Sequence, residues 1–456
     1  MFHKVLVANR GAIAARLIRT LRRLNIKSVA AYSEADAGLP YLAEADETIL
    51  IGPASARESY LNQDVLLQAA RRFKVDAIHP GYGFLSENAQ FASKLMEAGF
   101  HFIGPDPKWL RLLGDKIAAK KLMAERGMPV CPSTDVLTGS MEKQVETAAA
   151  LGFPLLIKPV GGGGGIGMAQ VNDRSALASA IESAAKLGAK SFSEASIYAE
   201  RLVERPRHVE FQVLADHWGN AVHLFERDCS VQRRRQKVVE EAGAPAIPEA
   251  KLAFMARQAV SALSSLGYNH IGTVETLYSE ETGFIFLEVN PRLQVEHAVT
   301  EEVSGVDLVA TQVRLASNLP LAEVLPRHPE RISGHAVEAR IYAEDPLSFL
   351  PSSGVLEVFR PPSGRGIRVE TGYGEGAHVT PFYDPMIAQV IVWAENRTSA
   401  IHTLYDALGD FSIRGVRTNI PFIRELLRYA PFREGRMIHT GLADEVQESL
   451  KKHYNA

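Results

Sequence analysis

Short apolar runs alternate with amphipathic segments along the first part of the chain. The strand-like runs occupy residues 4–8, 27–33, 76–79 and 101–105, and the helix-like segments, with apolar side chains every three or four positions, occupy residues 14–25, 64–74 and 87–99. This alternation predicts an open parallel sheet with helices on both faces, a Rossmann-like domain over residues 1–113. Ligands of such sheets bind beyond the carboxyl ends of the strands. Residues 9–11 and 79–84 lie at such ends.

Strand patterns dominate the rest of the chain after one more helix. We predict a linking helix within residues 114–130, then a small unit over residues 131–203 made of a strand, a glycine-rich hairpin, a helix and another strand. From residue 204 onward, apolar and polar residues alternate in the antiparallel manner, and a βα-like stretch at 334–408 closes the chain. The expected fold is thus α/β and α+β, with a C-terminal antiparallel-sheet domain over residues 204–456.

Composition and charge narrow the classes of function. A chain of 456 residues implies two to four domains, and 46% hydrophobic with 23% charged residues is typical of a globular protein. The net charge of −3 argues against nonspecific binding to nucleic acid or to an anionic membrane. Only two cysteines, no apolar stretch of about 18 residues and a strand at the N-terminus predict a cytoplasmic enzyme without disulfides, membrane span or signal peptide.

Five consecutive glycines, Gly161 to Gly165, follow a lysine at the end of an apolar strand. Each glycine costs roughly 0.5–1 kcal/mol relative to alanine in ordered structure, which favours a functional use. The run contains a GxGxxG pattern, but a second strand follows where a dinucleotide fold needs a helix, and no Gly-Lys pair exists for a Walker A loop. We therefore predict a hairpin flap whose N–H groups cover phosphates. A hairpin tip without any ligand is the alternative.

Two glutamates on neighbouring predicted strands form a candidate metal site. Glu275 and Glu288 are separated by a turn-like segment, so a hairpin would bring them opposite one another. Two carboxylates that face each other without a cation are unfavourable, and Asn290 shares a strand face with Glu288. Magnesium held by carboxylates and nucleotide phosphates resolves the repulsion. A pair of solvated carboxylates at a sheet edge is the alternative.

Cations and one further glutamate suggest an anion pocket. Lys158 ends a strand directly before the glycines, and Lys116 begins a helix, where a cation is unfavourable unless an anion lies nearby. Arginine suits a pair of anionic oxygens, and a nearby glutamate can act as a general base. Arg340 alternates with apolar residues, so it is expected on the strand face away from the core. Each residue alone is an ordinary surface charge; the candidate set is Lys116, Lys158, Lys237, Arg292, Gln294, Glu296, His297 and Arg340.

Together these motifs resemble the biotin carboxylase family of the ATP-grasp fold. The resemblance extends over nearly the whole chain and is highly specific, because many long segments occur in the same order. The matching segments are VLVANRG, HPGYGFLSEN, FIGP, the glycine flap, RHVEFQVLAD, ERDCS, QRRRQKVVEE, EVNPRLQVEH and FLPSSG. It implies that residues 131–203 are an ATP-grasp lid and that MgATP binds between this lid and the C-terminal domain.

The resemblance also implies a role for each candidate residue. ATP would contact Lys116, Lys158, Gly163, Gly164, Gly165, His208 and Gln232, with Glu200 and Leu202 at the adenine. Magnesium or manganese would bind Glu275, Glu288 and Asn290, and bicarbonate would contact Lys237, Arg292, Gln294 and Val295. Glu296 would deprotonate bicarbonate, which attacks the γ-phosphate and forms carboxyphosphate. Arg340 would stabilise the enolate of biotin, and Tyr82 would lie near the biotin ring.

The chain departs from the family pattern at several positions. Ile166 stands where the family usually has arginine or lysine, Arg201 replaces a lysine and Arg235 replaces a histidine. No proposed metal or bicarbonate residue is replaced. We therefore expect these changes to affect ATP affinity and lid closure rather than the reaction itself.

The expected partners follow from motifs that the sequence lacks. It has no Met-Lys-Met biotin-attachment motif and no room for a carboxyltransferase after the carboxylase region. The resemblance therefore implies a biotin carboxyl carrier protein and a carboxyltransferase on other chains. It also implies a homodimer, with Arg16 and Arg19 as candidate interface residues; a solvated helix face explains these two arginines equally well.

The motifs are compatible with several functions. The favoured one is the biotin carboxylase component of a multi-subunit acetyl-CoA-type carboxylase. The segments GGGGIGM and EHAVTEEVSGVDL also resemble the urea-carboxylase branch. A nucleotide-binding paralogue with weakened catalysis and an ATP-grasp ligase for a different nucleophile are also compatible with the motifs. The sequence does not define the final carboxyl acceptor.

Overall fold

The computed structural model describes residues 1–160, 167–192 and 195–454, so the predicted flap residues Gly163, Gly164 and Gly165 lie outside the described residues. The first region alternates strands and helices as predicted. Its elements are β1 Lys4–Val7, α1 Gly11–Arg23, β2 Lys27–Ser33, β3 Glu47–Gly52, α2 Gln63–Phe73, β4 Ala77–His79, α3 Ala89–Glu97, β5 His101–Phe102 and α4 Pro107–Gly114.

The first five strands form a parallel sheet in the order β3-β2-β1-β4-β5. β1 and β4 are neighbours, so the loops that follow them meet at the carboxyl edge, where ligands of such sheets bind. The Asn9 side-chain amide there donates to the carbonyl oxygens of Pro80 at 2.6 Å and Tyr82 at 2.7 Å. These bonds fix the loop that carries the Tyr82 ring.

A linking helix and a small three-stranded unit follow. The helix begins at Lys116 because the Asp115 carboxylate caps it, accepting from the N–H groups of Ile117 and Ala118 at 3.0 Å each. The unit has its own hydrophobic core and an antiparallel sheet in the order β7-β6-β8. The elements are α5 Lys116–Glu125, α6 Met141–Ala149, β6 Leu155–Pro159, β7 Ala169–Val171, α7 Leu177–Phe192 and β8 Ile197–Arg201.

The remaining chain builds a third, larger sheet and the helices that cover it. Its first half contains β9 Arg207–Ala215, β10 Ala221–Arg233, β11 Gln236–Ala242, α8 Glu249–Leu266, β12 Ile271–Ser279, β13 Gly283–Asn290, α9 His297–Ser304, α10 Leu308–Ala316 and α11 Leu321–Val324.

The second half of this region adds short strands, two long strands and the final helices. They are β14 His335–Tyr342, β15 Gly354–Val355, β16 Val358–Arg360, β17 Ile367–Glu370, β18 His378–Val379, β19 Met386–Ala394, α12 Arg397–Asp410, β20 Ser412–Arg414, α13 Ile420–Arg428, α14 Ala430–Glu434 and α15 Leu442–Tyr454. Within the described ranges, no helix has both the length and the apolar character needed to cross a membrane.

Eight strands pair antiparallel in the order β13-β12-β9-β10-β11-β14-β19-β17. The predicted fold class is therefore confirmed. The strands and the helix of the βα-like stretch predicted at residues 334–408 are present as β14, β19 and α12, but β14 and β19 pair antiparallel and α12 follows β19, so they form no parallel βαβ unit. Both faces of β14 are buried, so Arg340 does not lie on a solvated face.

The basic run at residues 233–237 spans the two-residue turn of the β10–β11 hairpin and the strand ends on either side of it. Arg234 and Arg235 occupy left-handed backbone conformations, with φ of 48° and 66°. Two consecutive residues of this kind reverse the chain tightly. The turn therefore directs the start of β11, and with it Lys237, back over the sheet.

The first region packs against the antiparallel sheet through α1, which contacts β17 and β19. Val5 and Val7 belong to a core shared with β14, β19 and α12, whereas Leu6 and Ala8 face a separate core inside the first region. A glycine pair closes the junction, since a Cβ on Gly372 would lie 2.5 Å from the backbone of Gly11. Only glycine permits this approach, which holds the end of β1 beside the C-terminal strands.

We predict that His79 makes folding stability depend on pH. Its side chain at the end of β4 is fully buried, and burial lowers the pKa of the imidazole from 6.5 to about 3. Below pH 6.5 the unfolded chain therefore binds a proton that the folded chain does not, so stability falls as the pH falls. Between pH 7 and pH 5, wild type should lose roughly 2 kcal/mol more than His79→Asn, as measured by urea unfolding.

The amide oxygen introduced by His79→Asn can still accept the hydrogen bond that Nδ1 of His79 accepts from the Gly81 N–H at 3.1 Å. His378→Asn, an exchange at an exposed position, serves as the matched control and should behave as wild type. An identical pH dependence in wild type and His79→Asn would contradict the assignment.

Candidate functional site

A cleft of about 850 Å³ lies between the three-stranded unit and the eight-stranded sheet. Most of the candidate residues line it, although they come from segments far apart in sequence. Those present are Lys116, Lys158, Glu200, Leu202, His208, Gln232, Lys237, Glu275, Glu288, Asn290, Arg292, Gln294, Val295, Glu296 and Arg340. The cleft thus collects the predicted nucleotide, metal and bicarbonate residues in one place.

The predicted metal hairpin is formed by β12 and β13. Glu275 pairs directly with Glu288 across the two strands, so both carboxylates lie on the same sheet face. Asn290 follows two residues after Glu288, and its Oδ1 accepts from Nη2 of Arg292 at 3.0 Å. The Lys116 ammonium lies 3.6 Å from the half-buried Glu288 carboxylate. Two carboxylates and an amide oxygen on one strand face are a donor set that fits a hard cation such as Mg²⁺.

Lys237 is the centre of the buried charges. Its Nζ donates to carboxylate oxygens of Glu210 at 2.6 Å, Glu275 at 2.9 Å and Glu296 at 2.6 Å. A further contact reaches Oε1 of Gln294 at 3.3 Å. Burial by itself would lower the pKa of the lysine, but the three carboxylates raise it well above its ordinary value. The ammonium is therefore permanently charged and neutralises a cluster that would otherwise be strongly anionic.

Glu296 lies between two cations at the inner end of the cleft. Its Oε1 accepts from Lys237, and its Oε2 accepts from Nη2 of Arg340 at 3.0 Å. Burial tends to raise the pKa of this carboxyl, but Lys237 and Arg340 lower it far below the ordinary value. Glu296 is thus ionised and ready to accept a proton, although the two cations weaken it as a base.

Arg292 connects the cleft to the first region of the chain. Its Nε lies 3.2 Å from a carboxylate oxygen of Glu87, which precedes α3. Burial tends to lower the pKa of the Arg292 guanidinium, but neighbouring carboxylates, Glu87 above all, raise it above the ordinary value. The pKa of Arg340 is raised in the same way, with Glu240 as the main carboxylate. Two fixed guanidinium groups and one ammonium therefore surround the space in front of Glu296.

The other end of the cleft contains a buried ion triplet. One carboxylate oxygen of Glu200, on β8, accepts a hydrogen bond from Nζ of Lys158 at 3.0 Å, and the other accepts one from Nζ of Lys120. Lys158 had no evident anionic partner in the sequence, and Glu200 supplies it. Nearby, Nε2 of His208 lies 3.0 Å from Glu275, and its Nδ1 lies 2.9 Å from Nε2 of Gln232.

Tyr82 lies in a neighbouring cleft of about 540 Å³. Three residues, Arg292, Val295 and Arg340, line both clefts. The structure therefore separates Tyr82 from the nucleotide residues but joins the two spaces at the guanidinium groups.

Sequence reasoning missed several residues that build the site. Glu210 bridges Lys237 and the buried Arg227, and Lys120 holds Glu200. A signal for Glu210 was present, because three polar residues, His208, Glu210 and Gln212, alternate with apolar ones along β9 and share one face. Lys120 carries no such signal, since lysine is common on helices.

Comparison with protein families divides the chain into three matched stretches. Residues 1–110 match the biotin carboxylase N-terminal domain, and residues 338–445 match the biotin carboxylase C-terminal domain. Residues 115–324 match the ATP-binding domain of the carbamoyl-phosphate synthase L chain. The three matches leave few residues of the chain unaccounted for.

Individual relatives are similar over almost their whole length. The biotin carboxylase of Halalkalibacterium halodurans is 48% identical over 95% of this chain and 96% of its own. Biotin carboxylase 2 of Bacillus subtilis is 45% identical over 99% of this chain and 100% of its own. A pyruvate carboxylase subunit from Methanothermobacter thermautotrophicus is 44% identical over 99% of this chain and 91% of its own.

Solved structures show the same architecture. The biotin carboxylase domain dimer of Hydrogenobacter thermophilus 2-oxoglutarate carboxylase, in complex with MgADP, ADP and bicarbonate, has a TM-score of 0.93 at 39% identity, covering 98% of this chain and 99% of its own. The biotin carboxylase of Campylobacter jejuni, in a β,γ-ATP complex, has a TM-score of 0.94 at 38% identity with the same coverage. This chain belongs to the biotin carboxylase family.

Proposed function

We propose that this chain carboxylates biotin on a carrier protein, using ATP and bicarbonate, as the biotin carboxylase component of a multi-subunit acyl-CoA carboxylase of the acetyl-CoA type. One observation carries the assignment of roles: the Lys237–Glu296–Arg340 network lies where the cleft with the metal and nucleotide residues meets the cleft with Tyr82. Family membership supports the reaction, and the relative with bound MgADP and bicarbonate supports the substrates.

The nucleotide would bind along the larger cleft. Lys116, Lys158 and His208 would contact its phosphates, Gln232 would support His208, and Glu200 and Leu202 would lie at the adenine. We extend this proposal to Gly163, Gly164 and Gly165 as the phosphate cover. Magnesium or manganese would be held by Glu275, Glu288 and Asn290, and when bound it supplies positive charge that neutralises the phosphates.

Bicarbonate would bind in front of Glu296. Arg292 and Lys237 supply the positive charge, and Gln294 and Val295 border the same space. Binding an anion there competes with Glu296 for Lys237, which weakens the interaction that lowers the pKa of Glu296. The carboxylate then becomes a better base at the moment when a proton must be removed.

The reaction would proceed in three steps. Glu296 accepts the bicarbonate proton while a bicarbonate oxygen attacks the γ-phosphorus, and ADP leaves. The carboxyphosphate that results breaks into carbon dioxide and phosphate. Phosphate then accepts the ureido N–H proton of biotin, whose nitrogen attacks carbon dioxide. Arg340 stabilises the negative charge that develops on the ureido oxygen, and Tyr82 borders the ring.

The domain limits and partners belong to the same proposal. The units would be residues 1–113, 114–130, 131–203 and 204–456, with biotin supplied by a separate carrier protein and the carboxyl group passed on by a carboxyltransferase. A cytoplasmic location remains a prediction from composition.

We also propose a homodimer formed through α1. Four arginines of this helix, Arg16, Arg19, Arg22 and Arg23, line a charged depression together with acidic residues of α9 and β17. Mixed charges of this density suit a symmetric contact with a second copy. The biotin carboxylase domain of the Hydrogenobacter relative is described as a dimer.

Glu288→Lys should remove magnesium-dependent ATP hydrolysis. The new ammonium replaces a metal ligand opposite Glu275 and lies near Lys116, so we expect a loss of several kcal/mol, about 100-fold or more in rate. Phosphate release at saturating bicarbonate measures it. Glu281→Lys, an exposed position in the turn of the same hairpin, is the control and should retain activity. Near-normal hydrolysis in Glu288→Lys would refute the metal assignment.

Arg340→Gln should separate the two half-reactions. Loss of the guanidinium removes stabilisation of the developing enolate, so carboxybiotin formation should fall roughly 100-fold. Bicarbonate-dependent ATP cleavage should fall less, because Lys237 still contacts Glu296. Arg340→Lys, which keeps a positive charge, should retain more carboxylation than Arg340→Gln. Equal losses in both half-reactions would remove Arg340 from the enolate role.

Arg19→Glu should weaken the dimer. The Arg19 guanidinium is about one-third exposed and pairs with Glu370, so reversal of its charge creates repulsion at the proposed contact. Sedimentation velocity should show a shift toward monomer that Arg71→Glu, on the exposed face of α2, does not produce. If both variants sediment as wild type does, the interface lies elsewhere.

A further inference from the structure

Two buried glutamates face each other behind Arg340. Glu240 on β11 and Glu338 on β14 are direct cross-strand partners, and neither side chain is exposed to solvent. Oε1 of Glu240 accepts from Nε of Arg340 at 2.6 Å, and Oε1 of Glu338 accepts from Nε2 of Gln389 at 2.5 Å. The Oε2 atom of each glutamate is buried and has no hydrogen-bond partner among the described residues.

The surrounding charges do not neutralise both carboxylates. The titratable groups that face the pair are Arg340 and Tyr342 from β14, Lys237 from β11, Cys229 from β10, Glu296 before α9 and Tyr82 from the β4–α3 loop. Lys237 already neutralises three other carboxylates, and Arg340 is shared with Glu296. Two ionised glutamates side by side in a solvent-free site would therefore leave one negative charge without a cation.

We propose that Glu240 and Glu338 share one proton and act as an acid pair that positions Arg340. The proton lies between the two Oε2 atoms, donated by Glu338 and accepted by Glu240. The pair then carries one negative charge, which is directed at Arg340 through Oε1 of Glu240. Both unpartnered oxygens are satisfied by a single hydrogen bond.

The titration behaviour agrees with this geometry. Burial raises the pKa of Glu240 to about 7, even though Arg340 opposes the shift. Burial and the neighbouring Glu240 raise the pKa of Glu338 well above its ordinary value. Such a pair keeps its proton to higher pH than an ordinary carboxyl group does, and it titrates in steps that belong to the pair rather than to one residue.

The position of the pair connects it to both clefts. Arg340 is held by Glu240 on one side and by Glu296 on the other, which fixes its guanidinium at the junction. Gln389, which holds Glu338, also donates to the carbonyl oxygen of Val295 at 2.9 Å, and its Oε1 lies 3.5 Å from the hydroxyl of Tyr82. Loss of the shared proton adds a second negative charge beside Arg340, which reduces the positive field available to a developing enolate.

This inference rests on the proposed function only for the role of Arg340, so the test has one measurement that does not depend on activity. Infrared difference spectroscopy of wild type minus Glu338→Gln at pH 7 should show the carbonyl band of a protonated carboxylic acid, shifted in D₂O. Glu241→Gln is the matched control. The Glu241 carboxylate lies next to Glu240 in the same strand, is bound by Arg397 and His335, and has a pKa lowered to about 2. Glu241→Gln should therefore keep the acid band, so the difference spectrum of wild type minus Glu241→Gln should not contain it.

Kinetics supply the second measurement. The amide introduced by Glu338→Gln mimics the protonated acid, so this variant should keep the rate of biotin carboxylation at pH 7 within about threefold of wild type. Its alkaline loss of activity should move to higher pH than in wild type. Glu338→Ala, which leaves Glu240 without the hydrogen bond, should lose about tenfold or more and raise the KM for biotin.

The outcomes separate the inference from the proposed function. No acid band in the difference spectrum, or an alkaline limb that is identical in wild type and Glu338→Gln, overturns the shared proton. Equal losses of biotin carboxylation rate in Glu338→Gln and Glu338→Ala also overturn it, because the amide that mimics the protonated acid would then give no advantage over alanine. If the chain carboxylates no biotin but the acid band is present, the acid pair stands and the proposed function fails.

Discussion

The buried ammonium group of Lys237 is the interaction on which the geometry of the candidate site depends. Three carboxylates, from Glu210, Glu275 and Glu296, converge on it from β9, β12 and the segment before α9. In a buried site the repulsion among these groups would exceed what any local packing could offset. With the lysine present, each carboxylate is fixed relative to the others. The hairpin with the proposed metal ligands and the proposed base are therefore positioned by one cation that lies between them.

Such a buried charge network contributes little to net stability, because desolvation of the ions opposes their attraction. Its value is preorganisation. The apolar cores on both sides of the sheets stabilise the fold, and the charged groups inside it then need little reorganisation when an anion enters. Arg340 extends the same network from Glu296 to Glu240, so a change of charge at Glu240 alters the electrostatic interaction between Arg340 and Glu296.

The contact between the two large sheets is a second requirement. Arg292 reaches Glu87 of the first region, and Asn9 fixes the loop of Tyr82, so both regions build the junction between the clefts. The close approach of Gly372 to Gly11 sets their relative position. The site consequently depends on packing between segments far apart in sequence, as the bond from Arg10 to Tyr373 also illustrates, with a sequence separation of 363.

The sequence by itself determined the elements and the hairpin that carries the two glutamates, because apolar and polar residues alternate along β12 and β13 on either side of a short turn. The tertiary structure set Glu275 opposite Glu288: a bulge shifts the register between Thr276 and Glu275, and without it the pairing nearer the turn would place Glu275 opposite Leu287. The tertiary structure alone decided which distant partner each buried charge receives. Glu200 for Lys158, Glu210 for Lys237 and Glu338 beside Glu240 all follow from the order of strands in the sheets, and local periodicity carries no information about that order.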